Sequence, residues 1–374
     1  MYPTFCSRVG TAGTGTSKPV GLCAVPTCAK VDGPLIPESL EHTDSDPGAC
    51  SCPVSEIPAS TVPQSETPGS AAPRSLAGTG WRLAGILRTV RPHQWVKNVF
   101  VLAPVVFAKE IFEPSLLKRA AGAFFAFCLL SGAVYTINDL ADIEADRQHP
   151  VKRYRPIASG RVPKKVAQIL AAILLVVALS GAVSGSLAFF MAASSYFVLN
   201  LAYSLKLKHI AYVDVGCIAT FFVLRVLAGG FAAYTSVSYY LLACTALLAL
   251  FLGFGKRRHE LTTSMGRGRR QRLALEGYTE RGLDIGLAVT AGATLLTYLA
   301  YTLDPRTRRT FDNDWLWVSS VFVAAGILRF LHIVRHRPNA ESPTQEMLSD
   351  GPFITTVLGW AGLVMWVVYK LSPG

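Results

Sequence analysis

Charge is scarce in this chain: Asp, Glu, Lys and Arg make up 16% of its 374 residues, against 51% apolar ones. That balance, with a mean hydropathy of +0.36, argues against two soluble domains and for a polytopic membrane protein. Acid is scarcer than base, and the formal charge is +12. The basic residues sit mostly in a few loops, which points to membrane orientation and anionic ligands and away from nucleic acid. A cysteine framework is missing as well. Five of the eight cysteines (Cys6, Cys23, Cys28, Cys50, Cys52) fall in an unpackable N-terminal stretch, and Cys50-Ser-Cys52 is too little for a metal site. The other three, Cys128, Cys217 and Cys244, read as small packing residues in apolar segments.

Residues 1–78 have few large apolar side chains and are rich in Ser, Thr, Pro, Gly and Ala. Such a segment cannot offset its ordering entropy, so a disordered tail is expected there. It has no basic-then-apolar secretory leader. A regulatory tail and an over-extended start both fit. A transmembrane domain is expected over 79–374.

From Trp81 the character changes. Arg91-Pro92 predicts a bend, because proline disfavours helix in the residue before it. Nine spans of roughly bilayer length follow, at 94–109, 117–139, 165–184, 186–203, 211–233, 238–255, 283–302, 314–333 and 353–371. The expected fold is therefore an all-α polytopic membrane protein. Loop 140–164 carries Arg147, Lys152, Arg153, Arg155, Arg161 and Lys164, and loop 256–282 carries eight basic residues, from Lys256 to Arg281. The loops after the third and fifth spans carry no charge. The positive-inside rule then places the charged loops and the N-terminus in the cytoplasm. Arg306, Arg308 and Arg309 in the loop after the seventh span run mildly against it.

The informative stretch is NDLADIEADRQHPVKRYRPIASG, 138–160. Asp139, Asp142 and Asp146 are spaced three and then four apart, which on an α-helix sets all three on one face. Basic residues follow at once. Aligned acids suit a divalent cation and the following cations suit phosphate, so the pattern points to a metal-bound phosphorylated substrate. A solvated helix end laced with salt bridges is the plainer alternative. Loop 203–214, YSLKLKHIAYVD, adds Tyr203, Lys208 and Asp214; interfacial anchoring and helix capping also account for them. Arg225 lies some eleven residues into the fifth span, where a guanidinium faces a partner or a cavity rather than lipid. Gly229-Gly230 nearby would allow close helix packing. Lys97 and Asn98 stand at the entry of the first span. Lys256, Arg257, Arg258 and Glu260 follow the sixth, where a purely topogenic role fits as well.

These residues resemble the UbiA-type intramembrane prenyltransferases: N-D-x-x-D-x-x-x-D at 138–146, RPIASG at 155–160, nine spans and a second polar motif after the fourth. RPHQWVKN (91–98), DRQHPVKRYRPIASG (146–160), YSLKLKHIAYVD (203–214), GKRRHEL (255–261) and ESPTQEMLSDGPF (341–353) look like one branch, the decaprenyl-phosphate phosphoribosyltransferases. The N-terminal tail has no counterpart there. The second motif holds one acid, Asp214, where aromatic prenyltransferases usually carry a pair.

The resemblance implies a ring of nine helices around a membrane-open cavity. It also implies transfer of 5-phosphoribose from phosphoribosyl diphosphate to a polyprenyl (decaprenyl) phosphate, as a lipid-linked donor for cell-wall arabinan synthesis. Asp139, Asp142 and Asp146 would hold Mg²⁺. Asn138, Lys97, Lys152, Arg155, Arg161, Tyr203, Lys208, Asp214 and Arg225 would contact substrate. A plasma-membrane location with the site facing the cytoplasm is expected, and a homo-oligomer is compatible. Prenyl transfer to an aromatic acceptor is the main rival. A transporter is another, but inverted repeats or midplane polar sites would then be expected.

Overall fold

The computed structural model describes residues 79–109, 112–265, 273–312, 314–336, 346–347 and 349–369. The tail expected over 1–78, the basic residues Arg267, Arg269, Arg270 and Arg272, and positions 341–345 of the last loop lie outside the described residues. Among the described residues every regular element is helical.

Eight helices are long and apolar enough to cross a bilayer. They are α3 (Pro114–Ala141), α5 (Lys164–Gly185), α6 (Leu187–Leu205), α7 (Val213–Ala233), α8 (Tyr239–Met265), α9 (Glu280–Leu303), α11 (Ser319–His336) and α12 (Gly351–Tyr369). The shorter α1 (Thr79–Val90), α2 (Ala103–Phe107), α4 (Ile143–Gln148) and α10 (Pro305–Phe311) lie between or before them. Local sequence sets many of the breaks. Pro114 starts α3 at a position where its missing N–H costs nothing. Ser186 separates α5 from α6 and caps the latter, its hydroxyl accepting from the Phe189 N–H at 3.0 Å.

The span expected at 94–109 differs from the rest. Pro92–Leu102 winds as a 3₁₀ helix and hands over to the five-residue α2. Pro104 has no N–H to give Phe100; the Ala103 N–H reaches the Phe100 carbonyl in the tighter pattern instead. The segment nonetheless runs the length of the bundle. It starts at Arg91, beside Asp139 at the end of α3, and reaches Val106, whose carbonyl accepts from the Tyr369 hydroxyl at the end of α12. The expected nine crossings are thus eight long α-helices and one composite.

Neighbours in sequence pack in order, α3 on α5, then α6, α7, α8, α9, α11 and α12. The 92–107 segment packs on α3 and α7 and meets α12, closing the ring. Lipid offers no hydrophobic drive between helices, so close approach must come from small residues. Ala123, Ala126, Ala178, Ala182, Ala192 and Ala193 supply it where α3, α5 and α6 meet. At Gly229 of α7 a Cβ would stand 1.8 Å from the Val101 carbonyl oxygen. Only glycine fits there, as the Gly229-Gly230 pair led one to expect.

Candidate active site

Asp139 sits in the last turn of α3 and is buried. A helix continuing through 146 would line up three aspartates, but α3 ends at Ala141. Asp142 takes φ −94°, ψ 11°, and α4 starts afresh at Ile143. The three-acid face expected from the spacing is therefore replaced by a pair. Asp139 and Asp146 converge on one guanidinium nitrogen, Arg155 Nη1, at 3.2 and 2.6 Å. Arg91 Nη2 holds Asp139 from the other side at 2.5 Å. Asp142, at the break, makes no side-chain bond among the described residues, and neither does Asn138. No three His, Cys, Asp or Glu gather among the described residues.

Arg155 is aimed by its own loop. Ile157 and Val162 bury against Ile143 of α4 and Ala167 of α5, and Arg147 Nε donates to the Ala158 carbonyl at 3.1 Å. Gly160 takes the left-handed φ of +76° that lets this loop turn back. Lys152 is exposed on the preceding 3₁₀ turn. Arg161 leans on α1, its Nε 3.1 Å from where a Cβ on Gly85 would be.

Asp214 has a different setting. It is fully buried at the start of α7, with Arg257 Nε of α8 2.6 Å from Oδ2. The Tyr278 hydroxyl donates to Oδ1, and the Val215 N–H reaches the same oxygen at 2.8 Å. Arg257 also pairs with Glu260. Burial, then the bond to Asp214, pushes the Tyr278 phenol well above its ordinary range. Tyr278 also accepts from the Tyr212 N–H at 2.8 Å, securing a residue held at φ +64°. The expected substrate contact through Asp214 is therefore not what the geometry shows. Oδ1 takes the Tyr278 hydroxyl and the Val215 N–H, Oδ2 faces Arg257 as an ion pair outside hydrogen-bond alignment, and the acid so ties α7 and α8 to the turn before α9. Arg257 was named only within a basic group for which a topogenic role stayed open, and Tyr278 was missed. The signal was available for Arg257: Gly253, Arg257 and Leu261 recur at four-residue spacing on the α8 face that meets Val215 and Asp214.

Cations form the third part of the site. Arg225 is buried and its partners are neutral: Asn98 Oδ1 at 2.9 Å, the Tyr196 hydroxyl at 2.8 Å and the Phe221 carbonyl at 3.0 Å. The Tyr196 and Phe222 rings lie 4.7 and 5.4 Å from its guanidinium carbon. Asn98 itself is pinned to Ser131 of α3 at 3.2 Å. Lys97 adjoins Asn98, the partner of Arg225, on the 3₁₀ segment that Arg91 leads into. Tyr203 packs edge-on to Phe221 at 5.6 Å, and half-buried Lys208 makes no side-chain bond among the described residues. A buried cation whose hydrogen-bond partners are all neutral attracts anions.

The acidic pair has the donor chemistry for a hard divalent ion. Two carboxylates already meet at one cationic nitrogen, and Mg²⁺ commonly takes one or two carboxylates plus substrate phosphates.

Residues 99–349 match the UbiA prenyltransferase family, and the chain belongs to it. It is an integral membrane protein. Two relatives narrow the class. The chain is 34% identical over 289 residues to decaprenyl-phosphate phosphoribosyltransferase of Corynebacterium glutamicum, covering 76% of this chain and 87% of that one. It is 36% identical over 254 residues to the protein of that name from Mycobacterium tuberculosis, covering 66% and 82%. A solved UbiA homologue from Archaeoglobus fulgidus bound to GPP and Mg²⁺ shares the fold, with TM-score 0.57 and 20% identity over 76% of this chain and 99% of that one.

Proposed function

We propose that the protein transfers 5-phosphoribose from phosphoribosyl diphosphate to a polyprenyl phosphate, at the cytoplasmic face of the plasma membrane, for cell-wall polysaccharide synthesis. One observation carries the reading. The acid of the second motif is taken up by Arg257 and Tyr278, which leaves Asp139 and Asp146, met by Arg91 and Arg155, as the acidic pair suited to a metal-bound diphosphate. A donor with one leaving diphosphate and a separate 5-phosphate, met by an anionic acceptor, matches one metal position and several cations. Relatives carrying that activity in their names support it.

Asp139 and Asp146 would hold Mg²⁺, which when bound neutralises charge on the departing diphosphate. The protein's own groups do the rest. Arg155, which already meets both acids, would take phosphate oxygens with Lys152 and Arg161 of the same loop, and Arg presents them a bidentate fork. Lys97, Lys208 and Arg225 draw the remaining phosphates. The acceptor phosphate is already an anion at neutral pH and needs no strong general base. Its oxygen forms the bond to ribose C1 as the C1–oxygen bond to diphosphate breaks and diphosphate keeps the electron pair. Attack from the opposite face inverts C1.

Membranes containing the full chain, given radiolabelled phosphoribosyl diphosphate, polyprenyl phosphate and Mg²⁺, should yield lipid-extractable label with an inverted anomeric centre. No transfer, alongside prenylation of an aromatic acid in a parallel assay, would overturn the proposal.

A further inference from the structure

The acids and the arginines at the end of α3 are unequally exposed. Asp139 and Asp146 side chains are 3% accessible, whereas Arg91 is 24% and Arg155 28% accessible. The two guanidinium groups lie over the carboxylates, so an ion approaching from solvent meets arginine first. Arg91 is held there against its own backbone preference. It takes φ 56°, ψ 61° at the junction of α1 with the 3₁₀ segment, a left-handed conformation that residues other than glycine rarely adopt. Its guanidinium lies 5.1 Å from the centre of the Tyr135 ring, which fixes its direction. Strain retained at a charged residue over a buried acid points to a role for that residue's position.

We propose that Arg91, with Arg155, is an exchangeable cation. Each occupies the carboxylates while the site is empty of metal, and each moves onto phosphate oxygens when a divalent ion arrives bound to a diphosphate. The metal alone would have to displace guanidinium groups with nothing to receive them. The metal–diphosphate complex supplies both a cation for the acids and anions for the arginines, so metal and donor bind as a unit. The two halves of the exchange balance in charge, and neither needs a change in protonation. The inference rests on the proposed function for the diphosphate donor, but not for the acceptor.

The two roles respond to Arg91→Gln with opposite sign. In the full chain in lipid nanodiscs, Mn²⁺ alone, followed by the paramagnetic signal of the free ion, should bind about tenfold tighter, because a paired guanidinium opposes cation binding by an amount of this order. Mn²⁺ with inorganic diphosphate should bind about tenfold weaker, for want of the bidentate fork. Arg91→Lys keeps the charge, so its affinity for Mn²⁺ alone should stay near the parent's, while diphosphate binding falls. Weakening of both ligands in Arg91→Gln would mark Arg91 as a strut and overturn the inference. So would unchanged Mn²⁺ affinity, or an Arg91→Lys variant that gains Mn²⁺ affinity as Arg91→Gln does. If diphosphate binds as described but phosphoribosyl diphosphate does not compete with it, the donor reading fails and the exchange stands.

Discussion

Asp139 and Asp214 are both buried acids at the ends of membrane helices, and each is paired with arginine. Their surroundings separate them. The arginines over Asp139 are about a quarter accessible, and a second acid, Asp146, shares one of them. Arg257 over Asp214 is 1% accessible, and Tyr278 shuts the other oxygen. A carboxylate whose partners can leave is available for exchange. One whose partners are packed on every side is a fastening between helices. In this protein the accessibility of the partner, more than the burial of the acid, distinguishes a ligand from a strut.

The largest effect that would sharpen this contrast is at Asp139. Asp139→Asn should lower turnover on the order of a thousandfold, the size of losing a transition-state charge stabiliser, in the radiolabel transfer assay. Its melting temperature should change little, because Arg91 and Arg155 keep about a quarter of their surface in solvent. Full activity would remove the metal role. Asp214→Asn should do the reverse in kind. It leaves Arg257 with Glu260 as its remaining carboxylate and should cost roughly 1–3 kcal/mol of stability, read by thermal unfolding in detergent, while Mn²⁺ affinity stays put. Loss of Mn²⁺ binding without loss of stability would break the comparison.

Asp142→Asn should lower activity by only about tenfold, the range of an outer-sphere partner. A loss as large as that of Asp139→Asn would restore the three-acid cluster. Tyr278→Phe should be the mildest, costing about 1–2 kcal/mol for one buried hydrogen bond. Its pH dependence has a definite sign. The folded phenol titrates above the unfolded one, so the wild-type advantage is fully present below about pH 10 and is lost as pH rises beyond it. Unfolding measured from pH 7 to 11 would show an advantage flat at first and then shrinking; one that grows with pH would contradict the assignment.

Much of this was legible beforehand, for reasons that can be named. Apolar runs of bilayer length announce themselves, and the described spans follow eight of the nine expected. The acidic stretch was legible as chemistry but not as shape. The spacing rule assumed one helix, and nothing in 138–148 announces the break at Asp142. Arg91 was read as part of a bend and not as a partner of Asp139, because that contact joins residues 48 apart. Pairings made across elements, such as Tyr278 with Asp214, leave no local trace.

The 3₁₀ winding of residues 92–102 has one more consequence, for reach. Eleven residues at about 2.0 Å and the five of α2 at about 1.5 Å carry the chain roughly 30 Å, the thickness of a hydrocarbon core. The same stretch wound entirely as α-helix would fall short by some 5 Å. The tighter coil also repeats every three residues, and Asn98, Val101 and Pro104, all buried, stand in one row. That row meets α7 at Arg225 and Gly229. A segment too short for an ordinary span thus works as a ruler, setting how deep Arg225 sits below the acids at Asp139.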